Sequence, residues 1–201
     1  MEAFGISRET EDKLRHYESL LIKWQEKINL ISPSTVKDAW NRHFLDSLQL
    51  LPLLPPEVKT LYDLGSGAGF SGMVLAIARP DLQVTLIESD SKKCAFLQTV
   101  SRETSIHVDI QNERIEKITS SLPSPDVVTA RALAALPLLL EWVYPWAQRN
   151  PSMVATFPKG ERAEEEIKEA QNDGWLFHVK QTPSVTEPQA SLLTLTDIRK
   201  S

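Results

Sequence analysis

The chain has 201 residues, 41% hydrophobic and 24% charged, which suits one α/β domain with some extension and a full core. Its formal net charge of −5 argues against a surface coated with nucleic-acid-binding cations but leaves a local basic face open. The single cysteine, Cys94, excludes an intramolecular disulfide and a cysteine zinc cluster. Four scattered histidines lack metal-ligand spacing, no apolar stretch approaches a membrane span, and Met1-Glu2-Ala3-Phe4-Gly5 has no signal-peptide pattern. A cytoplasmic, metal-free protein is expected.

Residues 8–31 predict the first helix. Leu14, Tyr17, Leu21, Trp24, Ile28 and Ile31 recur in steps of three and four, forming one core-facing stripe, with Ser7 as N-cap and Glu9 in the first turn. Ser32-Pro33 ends that helix and opens a second, expected over 35–51, which carries Trp40, Phe44, Leu48 and Leu51. The proline-rich stretch Pro52 to Pro56 then marks a boundary. The expected organisation is a helical N-terminal extension, 1–56, packed on a ligand-binding domain, 57–201, as one compact unit.

Beyond residue 59 apolar runs and helical segments alternate, which predicts a mostly parallel sheet covered on both faces. Strands are expected near 60–64, 83–88, 106–111, 125–129, 152–157, 175–180 and 191–197. Helices are expected near 71–79, 91–103, 136–149 and 160–172. No helix separates the last two strands, so they should form an antiparallel hairpin at one edge. A Rossmann-like, seven-stranded sheet of this kind is the usual class I methyltransferase architecture, and it leaves little room for the second half of a dehydrogenase.

The first of these strands closes on Asp63 and runs into Gly65, Gly67 and Gly69. Glycines there let a strand turn sharply into a helix with a ligand against the turn. Nineteen residues after Gly69 the next apolar run ends on Glu88, whose carboxylate suits the two hydroxyls of a ribose. Gly67, Gly69 and Gly72 also fit the dinucleotide fingerprint, but Asp63 favours a ligand with a cationic amino-acid moiety, as in S-adenosylmethionine.

In such sheets ligands sit outside the carboxyl ends of the strands. After the third strand, the segment 111–116 falls where an adenine would lie, with Ile115 as an apolar flank; Arg114 and Glu116 read equally as a surface ion pair. Arg131 and Lys159 follow the fourth and fifth strands, and Arg131 suits phosphate or base contacts. Lys92 and Lys93 open a helix against its dipole, which favours a phosphate partner, though they read equally as solvated lysines. His43 by itself reads as a structural histidine, while Arg42 keeps a nucleic-acid contact open. No Asn/Asp-Pro-Pro-Tyr/Phe stretch serves exocyclic amines. Cys94 lies inside a helix, poorly placed as a nucleophile for carbon-5 chemistry.

Trp24-(x4)-Asn29-Leu30, Arg42-His43-(x2)-Asp46-Ser47, Asp63 to Phe70, Lys92-Lys93-(x2)-Phe96-Leu97, Arg131-Ala132 and Lys159-Gly160, in that order, resemble the glucose-inhibited division protein B family. These are bacterial small-subunit ribosomal RNA guanine-N7 methyltransferases. The resemblance spans residues 7 to about 199. It implies methyl transfer from S-adenosylmethionine to N7 of a guanine in 16S ribosomal RNA, with cofactor contacts at Gly65, Phe70, Ile115, Glu116 and Arg131, beside Gly67 and Glu88. RNA contacts are expected at Arg42, His43, Lys92, Lys93 and Lys159, with Arg131 and Lys159 positioning the reactants. Guanine N7 carries a free lone pair, so no general base is expected. The expected partner is small-subunit RNA or the 30S particle, and the expected state is a monomer. Ser71 and Ala130 depart from the proline and serine of many family members, which bears on the glycine loop and on how Arg131 is held. A small-molecule or protein methyltransferase and a non-catalytic ribosome-assembly protein are the alternative readings.

Overall fold

The computed structural model describes residues 4–201; residues 1–3, the start of the expected extension and of the segment read for a signal peptide, lie outside the described residues. Helix α1 (Arg8–Gln25) starts where Ser7 Oγ accepts the Thr10 N–H and buries Leu14, Tyr17 and Leu21. It stops six residues short of the expected end because the Gln25 carboxamide takes over the backbone beyond it. Gln25 Oε1 accepts from the Leu30 and Ile31 N–H groups, and Nε2 donates to Ile31 O, each at 2.9 Å. Leu30 and Ile31 still enter the core, but from an irregular segment.

The second expected helix is three short ones: a 3₁₀ turn (Pro33–Asp38), a π-helical turn (Trp40–Leu45) and one α-turn, α2 (Asp46–Leu48). Trp40, Phe44 and Leu48 repeat every fourth residue, and a wider turn keeps such a repeat in line better than the 3.6-residue period.

The sheet comprises β1 (Thr60–Leu64), β2 (Gln83–Ile87), β3 (Asp109–Gln111), β4 (Val127–Ala130), β5 (Val154–Lys159), β6 (Trp175–Pro183) and β7 (Ser191–Lys200), in the order β3-β2-β1-β4-β5-β7-β6. Strands β1 to β5 run parallel, and β7 lies antiparallel between β5 and β6. The helices are α3 (Gly72–Ala78), α4 (Ser91–Thr104), α5 (Ile115–Ile118), α6 (Leu136–Arg149) and α7 (Ala163–Asn172). One hydrophobic cluster joins α1, α3 and α4 to the sheet; the other joins α5, α6 and α7 to it. Strand order reverses between β1 and β4, so their carboxyl ends flank the crevice where ligands of such sheets bind. Among the described residues no helix is long and apolar enough to cross a membrane.

Candidate functional site

At the end of β1 the chain turns through Gly65 at φ +59° and Gly67 at φ +56°, a region that L side chains rarely adopt. A Cβ on Gly65 would collide with the Leu133 side chain, whereas one on Gly67 would meet only Gly65 O at 3.8 Å and enter open space. Glu88, at the end of β2, is buried and ties two loops together: Oε2 accepts the Gly67 N–H and Oε1 the Asp90 N–H, each at 2.8 Å. Beneath the loop the Tyr17 hydroxyl donates to Ala68 O, so α1 of the extension holds the turn from behind. Cys94, in α4, is buried and its thiol donates to Glu88 O at 3.3 Å.

Asp63 does not meet a ligand as expected. It is fully buried below the loop, where Oδ2 accepts the Gly72 N–H at 3.0 Å and Oδ1 has no partner. Burial raises its pKa to about 6, opposed by hydrogen bonds led by that of Gly72. Its role is to fix the start of α3.

A cavity of about 440 Å³ opens above the loop, within the size range of small-molecule sites. All seven expected cofactor residues, Gly65, Gly67, Phe70, Glu88, Ile115, Glu116 and Arg131, line it. Leu30, Ile31 and Trp142 also do; Ile31 read in sequence as part of the core stripe, Leu30 only as part of a motif, and Trp142 was not singled out. A neighbouring cavity of about 590 Å³ is lined by Arg42, Asp46, Lys159, Glu166, Thr186 and Glu187, among others. The two cavities share His43, Arg131, Ala132 and Leu133 as a common wall.

Two residues of that wall, Arg131 and His43, belong to one hydrogen-bond chain. Arg131 Nη1 donates to Asp46 Oδ2 at 3.0 Å and to Arg42 O at 3.1 Å, and Nη2 donates to His43 Nδ1 at 2.8 Å. His43 Nδ1 is therefore an acceptor, and its Nε2–H donates to Thr35 Oγ1 at 2.9 Å, which in turn donates to Ser32 O at 2.8 Å. The imidazole stacks on Phe70 with centroids 4.9 Å apart, and Phe70 stacks on Tyr17. Burial, then the Arg131 and Arg42 charges, lower the His43 pKa to about 4, so the ring is neutral near pH 7.

Several expected cations are already engaged. The Lys159 side chain is only 8% exposed; Nζ lies 2.7 Å from both Glu166 Oε2 and Ala134 O, which suits bracing the cavity wall rather than meeting a phosphate. His43 is likewise part of the wall and not an open RNA contact. Arg42 is half-exposed and pairs with Glu187 across the mouth of the larger cavity at 2.7 Å. Lys93 lines the smaller cavity, and Lys92 is exposed on α4. Thr35, Glu166 and Tyr17 carry no local signal of these roles, since each partner lies distant in sequence or on another element; Asp46 belongs to a motif already noted. Ser71 is buried with no partner for Oγ, and Ala130 leaves the holding of Arg131 to the segment 42–46.

The family model described as rRNA small subunit methyltransferase G matches residues 10–193. The chain is 46% identical over 197 residues to a ribosomal RNA small subunit methyltransferase G of Paramagnetospirillum magneticum, covering 98% of this chain and 93% of the relative. It is 48% identical over 198 residues to the protein of the same name from Rhodospirillum centenum, covering 98% and 88%. Among solved structures, a ribosomal protein L11 methylase from Lactobacillus delbrueckii subsp. bulgaricus superposes with a TM-score of 0.60 at 14% identity, covering 77% of each chain. A MtNAS mutant in complex with S-adenosylmethionine gives 0.59 at 12% identity, covering 92% of this chain and 75% of that one. These last two likenesses speak to the fold.

Proposed function

The chain belongs to the rRNA small subunit methyltransferase G family, and from that premise we propose how its two cavities divide the work. The protein transfers a methyl group from S-adenosylmethionine to N7 of a guanine in 16S ribosomal RNA. The observation that carries the division of labour is the shared wall of His43, Arg131, Ala132 and Leu133 between a glycine-loop cavity and a second, larger one. The first is the cofactor cavity and the second receives the guanine.

The residues present suit the cofactor. The bare Gly67 leaves room that a Cβ would fill, the buried Glu88 carboxylate lines the cavity and keeps a further lone pair on each oxygen for ribose hydroxyls, and Ile115 offers an apolar flank for an adenine. When bound, S-adenosylmethionine supplies an electrophilic methyl on a sulfonium. The chain's part is alignment, because N7 presents its own lone pair and no proton has to be removed before attack. His43 is unsuited to act as a base, since Nδ1 is occupied by Arg131 and Nε2 carries the proton. Arg131, fixed by three acceptors and facing Phe70 at 5.3 Å, keeps the wall rigid between the two reactants. Lys159, held by Glu166, braces the far side.

N7 of a duplex guanine lies in a deep, narrow groove closed to side chains, so the target is read in an irregular or opened segment. The extension and the core act as one compact unit, because the segment 30–46 supplies residues to both cavities and Tyr17 of α1 holds the glycine loop. We infer a monomer acting in the cytoplasm, with the 30S particle or its RNA as substrate. The test is transfer of tritiated methyl to unmethylated small subunits and to their deproteinised RNA, followed by borohydride and aniline cleavage. One cleavage site is expected. Label that resists cleavage would overturn the N7 assignment, and no label in either substrate would overturn the reaction.

A further inference from the structure

We propose that the groove between the end of α1 and the start of α4 is a second RNA-binding surface, which takes the backbone phosphates and an unstacked base of the strand flanking the target. The proposal rests on the reading of the chain as an rRNA methyltransferase. The groove has a volume of about 460 Å³ and is lined by Lys23, Trp24, Lys27, Ile28, Lys92 and Ala95. It lies outside both cavities, and of its residues only Lys92 carried an expectation of RNA contact.

Three observations favour a polyanion as its occupant. First, Lys23, Lys27 and Lys92 are all exposed, and among the described residues none pairs with a carboxylate. This is notable in a chain with 27 acidic and 22 basic residues, where Arg15, Arg42, Arg79, Lys117, Arg131 and Lys159 all have such partners. Second, folding gives little reason to gather all three: the helix dipole favours Lys23 in the last turn of α1, but not the other two. Lys23 and Lys27 bring like charges together, and Lys92 stands in the first turn of α4, where the helix dipole disfavours a cation. Third, the cations surround a partly exposed indole: Trp24 packs one side on Phe96, with centroids 5.6 Å apart, and still lines the groove. An aromatic face among lysines is the pairing that holds single-stranded nucleic acid, with bases stacked and phosphates neutralised.

The groove adjoins the cofactor cavity along the chain. Lys93, next to Lys92, lines that cavity, as do Leu30 and Ile31, just beyond Lys27 and Ile28. A strand whose guanine occupies the larger cavity would thus cross the cofactor mouth and continue onto the three lysines.

The test compares the parent with a Lys23→Ala, Lys27→Ala, Lys92→Ala variant and with a charge-matched control, Lys59→Ala, Lys168→Ala, Lys180→Ala. The control residues line neither the groove nor the two cavities. Filter retention of deproteinised small-subunit RNA across a salt series gives affinity and its salt slope, and melting temperature verifies the fold. The groove variant is expected to bind at least about tenfold more weakly near 0.15 M salt, with a log–log slope shallower by about 2, while the control keeps the parent's slope. Its KM for unmethylated small subunits should rise with kcat and S-adenosylmethionine affinity unchanged. A slope and affinity equal to the control's would overturn the proposal. So would a loss confined to assembled subunits, which would put an acidic ribosomal protein in the groove. Failure of the parent itself to methylate either substrate would instead sink the underlying reading, a result independent of the filter measurement.

Discussion

Arg131 carries more of the site than its charge suggests. Its planar fork meets a carboxylate, a carbonyl and an imidazole nitrogen at once, a geometry that a lysine ammonium cannot reproduce. Arg131→Lys should therefore lower methyl transfer at least about tenfold and destabilise the fold by about 1–3 kcal/mol, because hydrogen bonds to charged groups are lost. Parent-like kinetics would show that charge alone suffices. His43 gives a pH signature. Its pKa falls from an ordinary 6.5 to about 4 through burial and the two arginines, so between these values the unfolded chain takes up a proton that the folded one refuses. Its contribution to stability thus declines as pH falls from 6.5 to about 4. Asp63 has the opposite slope: burial raises it from 3.8 to about 6, the folded chain keeps the proton longer, and stability is lost as pH rises through that window. His43→Gln removes only the first effect. Urea denaturation should show its stability improving relative to the parent as pH is lowered from 6.5 to 4; a pH-independent difference would contradict the assignment.

At the level of elements, the contact between α1 and the glycine loop decides how rigid the cofactor cavity is. Tyr17→Phe removes the hydroxyl that donates to Ala68 O and leaves that buried carbonyl short of a partner, an expected cost of about 1–2 kcal/mol. The same change should weaken S-adenosylmethionine binding measured by calorimetry, while the fold persists; unchanged affinity would mean that the loop holds its shape without α1. Several element boundaries in the sheet domain were readable because hydrophobic periodicity and capping are local: α6 spans the expected 136–149, and β1 the expected 60–64, whereas β3 and α7 start three residues later than expected and the single turn α5 was not expected. Residues 26–48 were not readable in the same way. Their helices are cut by the Gln25 side chain, which takes the N–H groups five and six residues on, and by a π-turn, and apolar periodicity signals neither. That irregular stretch is what aims Arg42 O, Asp46 and His43 at one guanidinium.

Over the whole molecule, the cofactor cavity was legible because its residues follow from one topological rule: ligands sit at the carboxyl ends of parallel strands. The same rule places Lys159 at that rim but is blind to Glu166 on α7, which claims its charge, and to Glu187 beyond β6, which claims that of Arg42. Cations were countable in sequence; their pairing was a property of the assembled fold. One further consequence concerns the lone cysteine. Cys94 hangs from Glu88 O, and burial, then the Glu88 and Asp90 charges, push its thiol pKa above the usual range. A thiol reagent can reach it only when the corner joining β2 to α4 springs open, so its labelling is a built-in stopwatch for that opening. With S-adenosylmethionine added, the stopwatch should slow several-fold in proportion to occupancy, whereas an unaltered labelling rate would mean that the corner breathes independently of the cofactor cavity.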